Sequence, residues 1–419
     1  MAQLHKKFTD IQVKELLARY FKGEIPRRYV QEILGIKERR FFSLIKRYRE
    51  NPAAFSLQYQ REGPTRHIPE LTEKAILKEL AIDKQIIEDK ENPVRRYNYS
   101  YIKDRLAETY GQKVSVPTII NRAKKHGFYI KRTKRRSTHD REVLTHYVGE
   151  LIQHDSSIHL WAPAAGEKWQ LITSLDDHSR FILYAELVRR ERSWAHILAL
   201  QAVFLKHGMP FSYYVDSHSI FRFVQGRDSI WREHRKLTDE VDPQWKQVLV
   251  DCGVKLIYAL SPQAKGKIER PYQWLQDRLV RTCVRNNVID IRQARPILHH
   301  EIQRYNYRQV HSATLEVPYF RLQNALREKR SLFRQFRIPP PFQSAKDIFC
   351  LRMERTVDAY CRVSINNKYR SVNYANPGDV LSIRFYPMTG GVTELRYWRG
   401  NRLLDVQRIK TSDLEGLQF

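Results

Sequence analysis

The fold of this protein is decided within residues 147–187, YVGELIQHDSSIHLWAPAAGEKWQLITSLDDHSRFILYAEL. Upstream of about residue 148, apolar side chains recur with the period of a helix, whereas this stretch gathers them into short runs separated by turn residues. Three of those runs, Tyr147–Gln153, Trp169–Leu175 and Phe181–Leu187, have the length and composition of β-strands. The stretch therefore predicts the first three strands of an α/β domain.

Helices and strands are predicted to alternate in the region that follows. The predicted elements are a helix at Ser193–Lys206, a strand at Phe211–Val215, a helix at Gln244–Cys252, a strand at Val254–Leu260 and a helix at Glu269–Arg285. This order predicts a layered α/β arrangement with mixed strands.

Three carboxylates stand where these predicted elements begin or end. Asp155 ends the first strand, Asp216 ends the fourth, and Glu269 starts the last helix. A single acid is usually a surface or capping residue, but two hard cations about 3.5 to 4 Å apart can stabilise both oxygens of a phosphodiester transfer. Magnesium takes few protein ligands. We therefore predict a site for two Mg²⁺ or Mn²⁺ ions, in which Asp155 bridges both, Asp216 binds one and Glu269 binds the other.

Asp176 and Asp177 are rival acids in a turn between two predicted strands. Formation of that turn and pairing with Arg180 explain them without a metal.

A basic, glycine-containing loop precedes Glu269. Its residues Gln263, Lys265 and Lys267 are predicted to hold a DNA backbone beside the metal site. A solvated loop is the alternative.

The net charge of +28 predicts a polyanionic partner, with nucleic acid favoured over a membrane surface. No run of about 18 apolar residues and no signal-peptide pattern is present, so we expect the protein to act inside a cell. The cysteines Cys252, Cys283, Cys350 and Cys361 lack the paired spacing of zinc sites, which predicts reduced and packed thiols.

Residues 1–55 are predicted to form a helix-turn-helix DNA-binding domain. A turn at Gly35 separates a short helix from a basic one that suits a major groove. The basic residues expected to face outward are Arg39, Arg40, Lys46, Arg47 and Arg49. A small helical bundle with an ordinary solvated face is the alternative.

Residues 65–135 are predicted to form a second helix-turn-helix or winged-helix-like DNA-binding domain. Its helices are expected at Leu71–Ile87, Tyr99–Tyr110 and Val116–His126, with Ser115 capping the third. The residues predicted to contact DNA are Arg122, Lys124, Lys125, Lys131, Arg132, Lys134, Arg135 and Arg136. The last five form a basic run that is either a solvated linker or a phosphate contact.

Residues 326–347 are basic and then proline-rich, which predicts a stiff connector. Residues 345–419 are predicted to form a small β-barrel. Its strands are expected at Tyr360–Ile365, Lys368–Val372, Val380–Tyr386 and Val392–Trp398, because strong turn sequences separate these runs.

The central region resembles the integrase core of DDE transposases and retroviral-type integrases. The resemblance covers about residues 145 to 320 and rests on His154-Asp155, Leu175–Arg180, Val215-Asp216 and Ser261–Arg270. It implies a ribonuclease H-like catalytic core over 145–325, in which Asp155, Asp216 and Glu269 are the catalytic residues. It also implies N-terminal domains that bind the terminal inverted repeats of a bacterial insertion sequence, and a C-terminal barrel like that of phage Mu-type enzymes. The implied activity is metal-dependent release of transposon 3′ ends, followed by attack of the 3′ hydroxyl on target DNA.

Two features depart from the family pattern. Asp216 and Glu269 are farther apart than is usual, with Phe221–Asp242 as the apparent insertion. That insertion is predicted to contact DNA or another subunit, or to cap the core. Pro271 removes a backbone donor, so the helix is expected to start close to Glu269.

Three functions stay open on the sequence: a transposase, a transposase-derived regulator that binds DNA without catalysis, and a metal-dependent nuclease. The presence of all three acids favours the first over the second. The expected partners are double-stranded DNA and further copies of the chain, assembled on DNA as a dimer or higher multimer. We expect a cytoplasmic protein of a bacterium or archaeon, associated with the nucleoid.

Overall fold

The computed structural model describes residues 4–58, 68–131, 144–216, 244–259 and 266–414. The chain divides into two compact units, Met1–Glu73 and Lys74–Phe419. In the described part of the chain, no helix combines the length and apolar composition that crossing a bilayer requires.

The first unit contains the helices α1 (Asp10–Phe21), α2 (Arg27–Leu34) and α3 (Glu38–Glu50). Thr9 and Gln12 form a reciprocal capping box that begins α1. Gly35 ends α2 in a left-handed conformation, which turns the chain into the basic helix α3. Apolar residues of all three helices form one core, including Val13, Leu17, Val30, Leu34, Phe41 and Leu44.

Three more helices lie in the described residues before the sheet: α4 (Glu70–Glu88), α5 (Tyr99–Tyr110) and α6 (Val116–Lys125). The side chain of Ser115 accepts a hydrogen bond from the Thr118 backbone and caps α6, as predicted. Ile102, Leu106, Ile119 and Ala123 bury the contact between α5 and α6.

A five-stranded mixed sheet follows, with strand order β3-β2-β1-β4-β5. Its strands are β1 (Leu151–His159), β2 (Trp169–Asp176), β3 (Ile182–Val188), β4 (Ser212–Val215) and β5 (Lys255–Tyr258). Strands β1, β2 and β3 are antiparallel neighbours, whereas β4 is parallel to both β1 and β5. The prediction of a layered α/β domain with mixed strands is confirmed.

Helices cover both faces of this sheet. They are α7 (Ser193–His207), α8 (Gln244–Asp251), α9 (Gly266–Arg285), α10 (Ile291–Tyr307) and α11 (Pro318–Arg327). Ile152 and Tyr213 share a core with α7 and α8, whereas Leu171 and Leu175 share a second core with α9 and α10. Because successive strand residues point to opposite faces, these cores show which helices each strand residue faces.

Two predicted element ends were wrong. Strand β1 continues past Asp155 to His159, because residues 155–159 pair with Trp169–Thr173 of β2. Helix α9 begins at Gly266, so Glu269 lies within its first turn and Pro271 lies inside the helix.

The C-terminal region contains six strands within its described residues: β6 (Leu351–Thr356), β7 (Arg362–Ile365), β8 (Lys368–Ser371), β9 (Val380–Pro387), β10 (Val392–Arg399) and β11 (Arg402–Lys410). Four form an antiparallel sheet in the order β11-β10-β9-β6, and β7 pairs with β8 alone. Among the described strands, no pairing closes these sheets on themselves. The region is therefore an open sheet with a two-stranded ribbon, and the predicted small β-barrel is not confirmed.

The stretch predicted to connect the sheet to the C-terminal region pairs with the sheet domain along part of its length. The Leu332 amide donates to the Val148 carbonyl at 2.8 Å, and Met209 and Arg334 exchange backbone bonds at 2.7 and 2.9 Å. These bonds extend the backbone pairing of the sheet domain to residue 334.

Candidate active site

Two of the three predicted carboxylates belong to neighbouring strands: Asp155 lies in β1, and Asp216 directly follows β4. Ile152 pairs with Tyr213, and Gln153 pairs with Tyr214, in the parallel register of β1 and β4. Continuing this register by two residues places Asp155 opposite Asp216, which directly follows β4. Neighbouring strands lie about 4.8 Å apart, and aligned residues point to the same face. On this continuation of the register, Asp155 and Asp216 lie side by side on one face of the sheet.

That face is the one covered by helix α9, which carries Glu269. Buried Ile268, Leu275 and Leu279 of α9 pack on the sheet. The Gln276 side-chain amide donates to the Ser157 hydroxyl at 3.3 Å, which ties α9 to β1 two residues beyond Asp155. The packing thus places the first turn of α9, with the exposed Glu269, at the same side of the sheet as both aspartates.

The pKa of Tyr272, one turn after Glu269, is affected by the negative charges of this region. Burial raises the pKa of the Tyr272 hydroxyl well above its usual value, and the charges of Asp155, Glu191 and Asp216 act in the same direction. Thus Asp155, Asp216 and a further acid, Glu191, lie close enough to this buried hydroxyl for their charges to act on it.

The donor set fits hard divalent cations, because Mg²⁺ and Mn²⁺ prefer carboxylate oxygens. Within the described ranges, however, no group of three His, Cys, Asp or Glu side chains is arranged to hold a metal ion. The binding of two cations by Asp155, Asp216 and Glu269 therefore stays a prediction.

A buried chain of hydrogen bonds behind Asp155 was missed by the sequence reasoning. The Ser156 hydroxyl donates to Glu191 at 2.5 Å, and His196 Nε2 lies 3.0 Å from the same oxygen, Oε1. His196 Nδ1 lies 2.8 Å from His154 Nε2, and His154 Nδ1 lies 2.9 Å from the Ser174 hydroxyl. The residues on both sides of Asp155 are therefore held by one network, on the face of the sheet opposite to its carboxylate.

No sequence motif marks Glu191, because it lies between β3 and α7, 36 positions beyond Asp155. The only hint is that His154 is a polar residue within an otherwise apolar run. A buried histidine needs a partner, and the sequence does not say where that partner lies.

The turn interpretation of Asp176 and Asp177 agrees with the geometry. Asp176 accepts from the Ser179 and Gly149 amides at 2.8 Å each, and Asp177 pairs with Arg180 at 3.1 Å. Both acids are fully buried and serve the turn after β2.

The residues predicted to contact DNA differ in their surroundings. In α3, Arg39 and Lys46 are exposed and Arg40 is half-buried. Arg47 is exposed, but it donates to the Ser56 carbonyl at 2.6 Å and lies over the Phe55 ring, so its contacts are local.

In the second unit, Lys124, Lys125 and Lys131 are exposed and Arg122 is half-buried. Several predicted contacts lie outside the described residues: Arg132, Lys134, Arg135, Arg136, Gln263, Lys265 and the side chain of Lys267. The 221–242 insertion lies outside them as well. The four cysteines are free thiols, and burial raises the pKa of Cys252 and Cys283 to about 12.

No family model matches the chain. It is 26% identical over 364 residues to the putative transposase y4bF of Sinorhizobium fredii (strain NBRC 101917 / NGR234), which covers 86% of this chain and 72% of that protein. It is 32% identical over 160 residues to the transposase for insertion sequence IS1202 of Streptococcus pneumoniae, which covers 38% of this chain and 33% of that protein.

The chain has low structural similarity to two solved structures. The simian T-cell lymphotropic virus intasome in complex with PP2A regulatory subunit B56 gamma gives a TM-score of 0.31 at 12% identity, over 73% of this chain and 92% of that chain. The HTLV-2 integrase catalytic core domain in complex with magnesium gives a TM-score of 0.26 at 13% identity, over 41% of this chain and 92% of that chain. At these scores neither likeness bears on fold or function. In sequence, the chain is similar to two proteins named as transposases, and its central motifs resemble those of the DDE transposase and integrase family.

Proposed function

We propose that this protein is the transposase of a bacterial insertion sequence. It binds the terminal inverted repeats, cleaves the DNA to release 3′ ends, and joins those ends to target DNA. Two relatives named as transposases and the formal charge of +28 support this proposal.

The observation that carries the proposal is the register of β1 with β4, whose continuation by two residues brings Asp155 opposite Asp216 on the face of the sheet that α9 covers. Two carboxylates on adjacent strands repel each other, and a positively charged partner offsets that repulsion. The mixed sheet, with helices on both faces, suits a ribonuclease H-like core.

In this site Asp155, Asp216 and Glu269 hold two Mg²⁺ or Mn²⁺ ions. Bound there, the ions supply positive charge to the attacking and leaving oxygens. The protein positions the carboxylates through the β1–β4 register and the packing of α9 on β1.

Double-stranded DNA is the proposed partner, bound through the exposed cations of α3 and α6. Cutting both ends of one element together requires at least two active sites. We therefore propose that copies of the chain assemble on DNA.

A strand-transfer assay tests this function. Purified protein is mixed with labelled DNA carrying the inverted repeats that flank its gene, with Mg²⁺ or Mn²⁺. Asp155→Ala, Asp216→Ala and Glu269→Gln are compared with Glu354→Gln, a matched control because Glu354 is also an exposed glutamate, on β6. We expect joined products from the wild type and from Glu354→Gln, and none from the other three, all of which still bind the ends.

Each other outcome points to a different function. Binding of the ends without cutting or joining indicates a DNA-binding regulator. Cutting without joining indicates a nuclease that uses water as its nucleophile. Full activity in any one of the three site variants removes that residue from the site.

A further inference from the structure

Helix α9 carries a row of buried arginines on the side facing away from the sheet. Arg278, Arg281 and Arg285 are spaced three and four residues apart, which places them along one side of the helix. Arg278 is 1% exposed and Arg281 is fully buried. Arginines are rarely buried without partners, so this row requires a matching set of acids.

Acids of α4 and α5 face this row, in addition to Asp277 of α9 itself, which lies 2.9 Å from Arg281, and Glu301 of α10, which lies 3.7 Å from Arg278. Arg281 pairs with Asp83, whose side chain is fully buried, and Arg285 Nη1 lies 2.8 Å from Glu79. Glu79 and Asp83 are four residues apart and face α9 from one side of α4.

Helix α5 supplies a second pair of acids, Asp104 and Glu108. Arg278 pairs with Asp104 at 2.7 Å. Arg304 of the neighbouring helix α10 pairs with Asp104 at 3.2 Å and with Glu108 at 2.6 Å. Asp104 and Glu108 are again four residues apart. We call these contacts the α4–α5 ion-pair interface.

Neutral contacts reinforce the interface. Ile86 and Val94 bury against Val280 of α9. The hydroxyls of Tyr101 and Thr282 lie 3.0 Å apart. A buried ion pair that loses one partner leaves an uncompensated charge, so α4 and α5 do not separate easily from α9.

The interface holds the helix whose first turn contains the predicted catalytic glutamate, Glu269. Arg281 lies about 18 Å along the helix axis from Glu269, at 1.5 Å per residue. Pro271 removes one backbone hydrogen bond near the start of α9, so the first turn is not held by a complete ladder. Contacts on the outer side of α9 therefore add to the packing on the sheet in fixing where Glu269 lies.

We propose that α4 and α5 serve catalysis as well as DNA binding: their acids Glu79, Asp83, Asp104 and Glu108 are positioning residues for Glu269. This inference rests on the proposed function, because Glu269 matters only if the site joins DNA. It extends that function by assigning a role in the chemical step to helices that the sequence associates with end recognition.

The test compares two variants of the full-length protein that make the same chemical change. Asp83→Asn removes a fully buried charge from the interface. Asp347→Asn removes a fully buried charge that pairs with Arg396 in the C-terminal region. For each we measure the dissociation constant for end DNA, the joining rate at saturating DNA and the thermal unfolding temperature, with all rates taken below the unfolding temperature of every variant.

We expect Asp83→Asn to join on the order of 10- to 100-fold more slowly, because a displacement of about 1 Å at a reacting group can cost about 100-fold. Its end affinity should stay within about threefold of the wild type, which separates positioning from binding. Asp347→Asn should lose thermal stability and keep its joining rate. Equal joining by Asp83→Asn and the wild type would overturn the proposal, as would equal slowing by both variants.

A charge reversal keeps the test decisive if Asp83→Asn does not fold. Glu79→Arg and Arg285→Glu should each slow joining, and the two together should recover most of the rate. A double variant no faster than the single ones contradicts the proposal.

Hydrogen exchange of the α9 amides gives a readout that needs no joining. We expect faster exchange at residues 269–275 in the interface variants than in Asp347→Asn. If the wild type does not join DNA, the proposed function fails. In that case, faster exchange still supports the interface as the structure that holds Glu269, and unchanged exchange rejects it.

Discussion

Glu191 offers a sharp test of how Asp155 is held. Its Oε1 accepts from the Ser156 hydroxyl at 2.5 Å and lies 3.0 Å from His196 Nε2. With both imidazoles neutral, a single order of donors satisfies the whole chain: Ser174 donates to His154, His154 donates to His196, and His196 donates to Glu191. An ionised carboxylate only accepts hydrogen bonds, so Glu191 fixes that direction.

The structure sets the size of the effect. Glu191→Ala leaves the His196 Nε2–H and the Ser156 hydroxyl without this acceptor. A buried donor without a partner costs about 1 to 3 kcal/mol. His196 is fully buried and takes the larger cost, whereas the half-buried Ser156 can turn to water. We therefore expect a loss of about 3 kcal/mol in the free energy of unfolding.

The conservative variant separates geometry from charge. Glu191→Gln keeps an oxygen that can accept both bonds, and it loses only the extra strength of a charged acceptor, about 1 kcal/mol. Because both neighbours of Asp155 belong to the network, Glu191→Ala should also slow joining at saturating DNA by about 100-fold. Glu191→Gln should join at about a tenth of the wild-type rate or faster.

Urea unfolding at pH 7 and single-turnover joining measure the two effects on the same preparations. The reasoning is refuted if Glu191→Ala is as stable as the wild type, since its donors then have other adequate acceptors. It is also refuted if Gln is as damaging as Ala, since the carboxylate charge would then matter more than the network.

Three further predictions concern stability and binding. Gly149→Ala should lower the free energy of unfolding by about 3 kcal/mol in urea titrations, because Gly149 has a φ of +72° and a Cβ there would lie 2.7 Å from the Phe333 ring. Gly166 is the control: its φ is +67°, but a Cβ there would meet no atom within 4 Å, so Gly166→Ala should lower the free energy of unfolding by only about 1 to 2 kcal/mol. Burial, and next the charges of nearby arginines, lower the pKa of His311 from 6.5 to about 4. Because the histidine of the unfolded protein binds a proton at higher pH than that of the folded protein, the free energy of unfolding should fall as the pH drops from 6.5 to 4. His311→Gln should flatten that part of the plot of urea midpoint against pH, and an unchanged plot would contradict this role of His311. Lys125→Gln should weaken binding to all DNA sequences and reduce the slope of log Kd against log salt by about 0.9 in gel-shift titrations; an unchanged slope would remove Lys125 from the DNA contacts.

Local patterns were sufficient to predict most helices and strands. The helix at Tyr99–Tyr110 has the predicted bounds, because Gly111 ends it in a left-handed conformation that the sequence signals. Helix α6 begins at its predicted cap. In the C-terminal region, β6 and β11 were missed, since charged residues interrupt their apolar pattern, as in LRMERT at 351–356.

Long-range pairing could not be predicted from periodicity. The sequence shows that Asp155 and Asp216 each follow an apolar run, but the register that makes them neighbours is set by the pairing of β1 with β4. The acids of α4 and α5 look like an ordinary solvated face in the sequence. Their arginine partners are nearly 200 positions away on α9 and α10, and no local rule connects them.

The pairing of residues 330–334 with Val148 and Met209 matters for the choice of fragments for crystallisation or biochemistry. A catalytic fragment ending at residue 325 would lack the backbone partners of Val148 and Met209. It would also lack Phe333, which packs over Gly149 at the entry to β1. A fragment cut there exposes an unpaired edge and apolar surface, which favour aggregation. Expression boundaries for the sheet domain should therefore lie beyond residue 334.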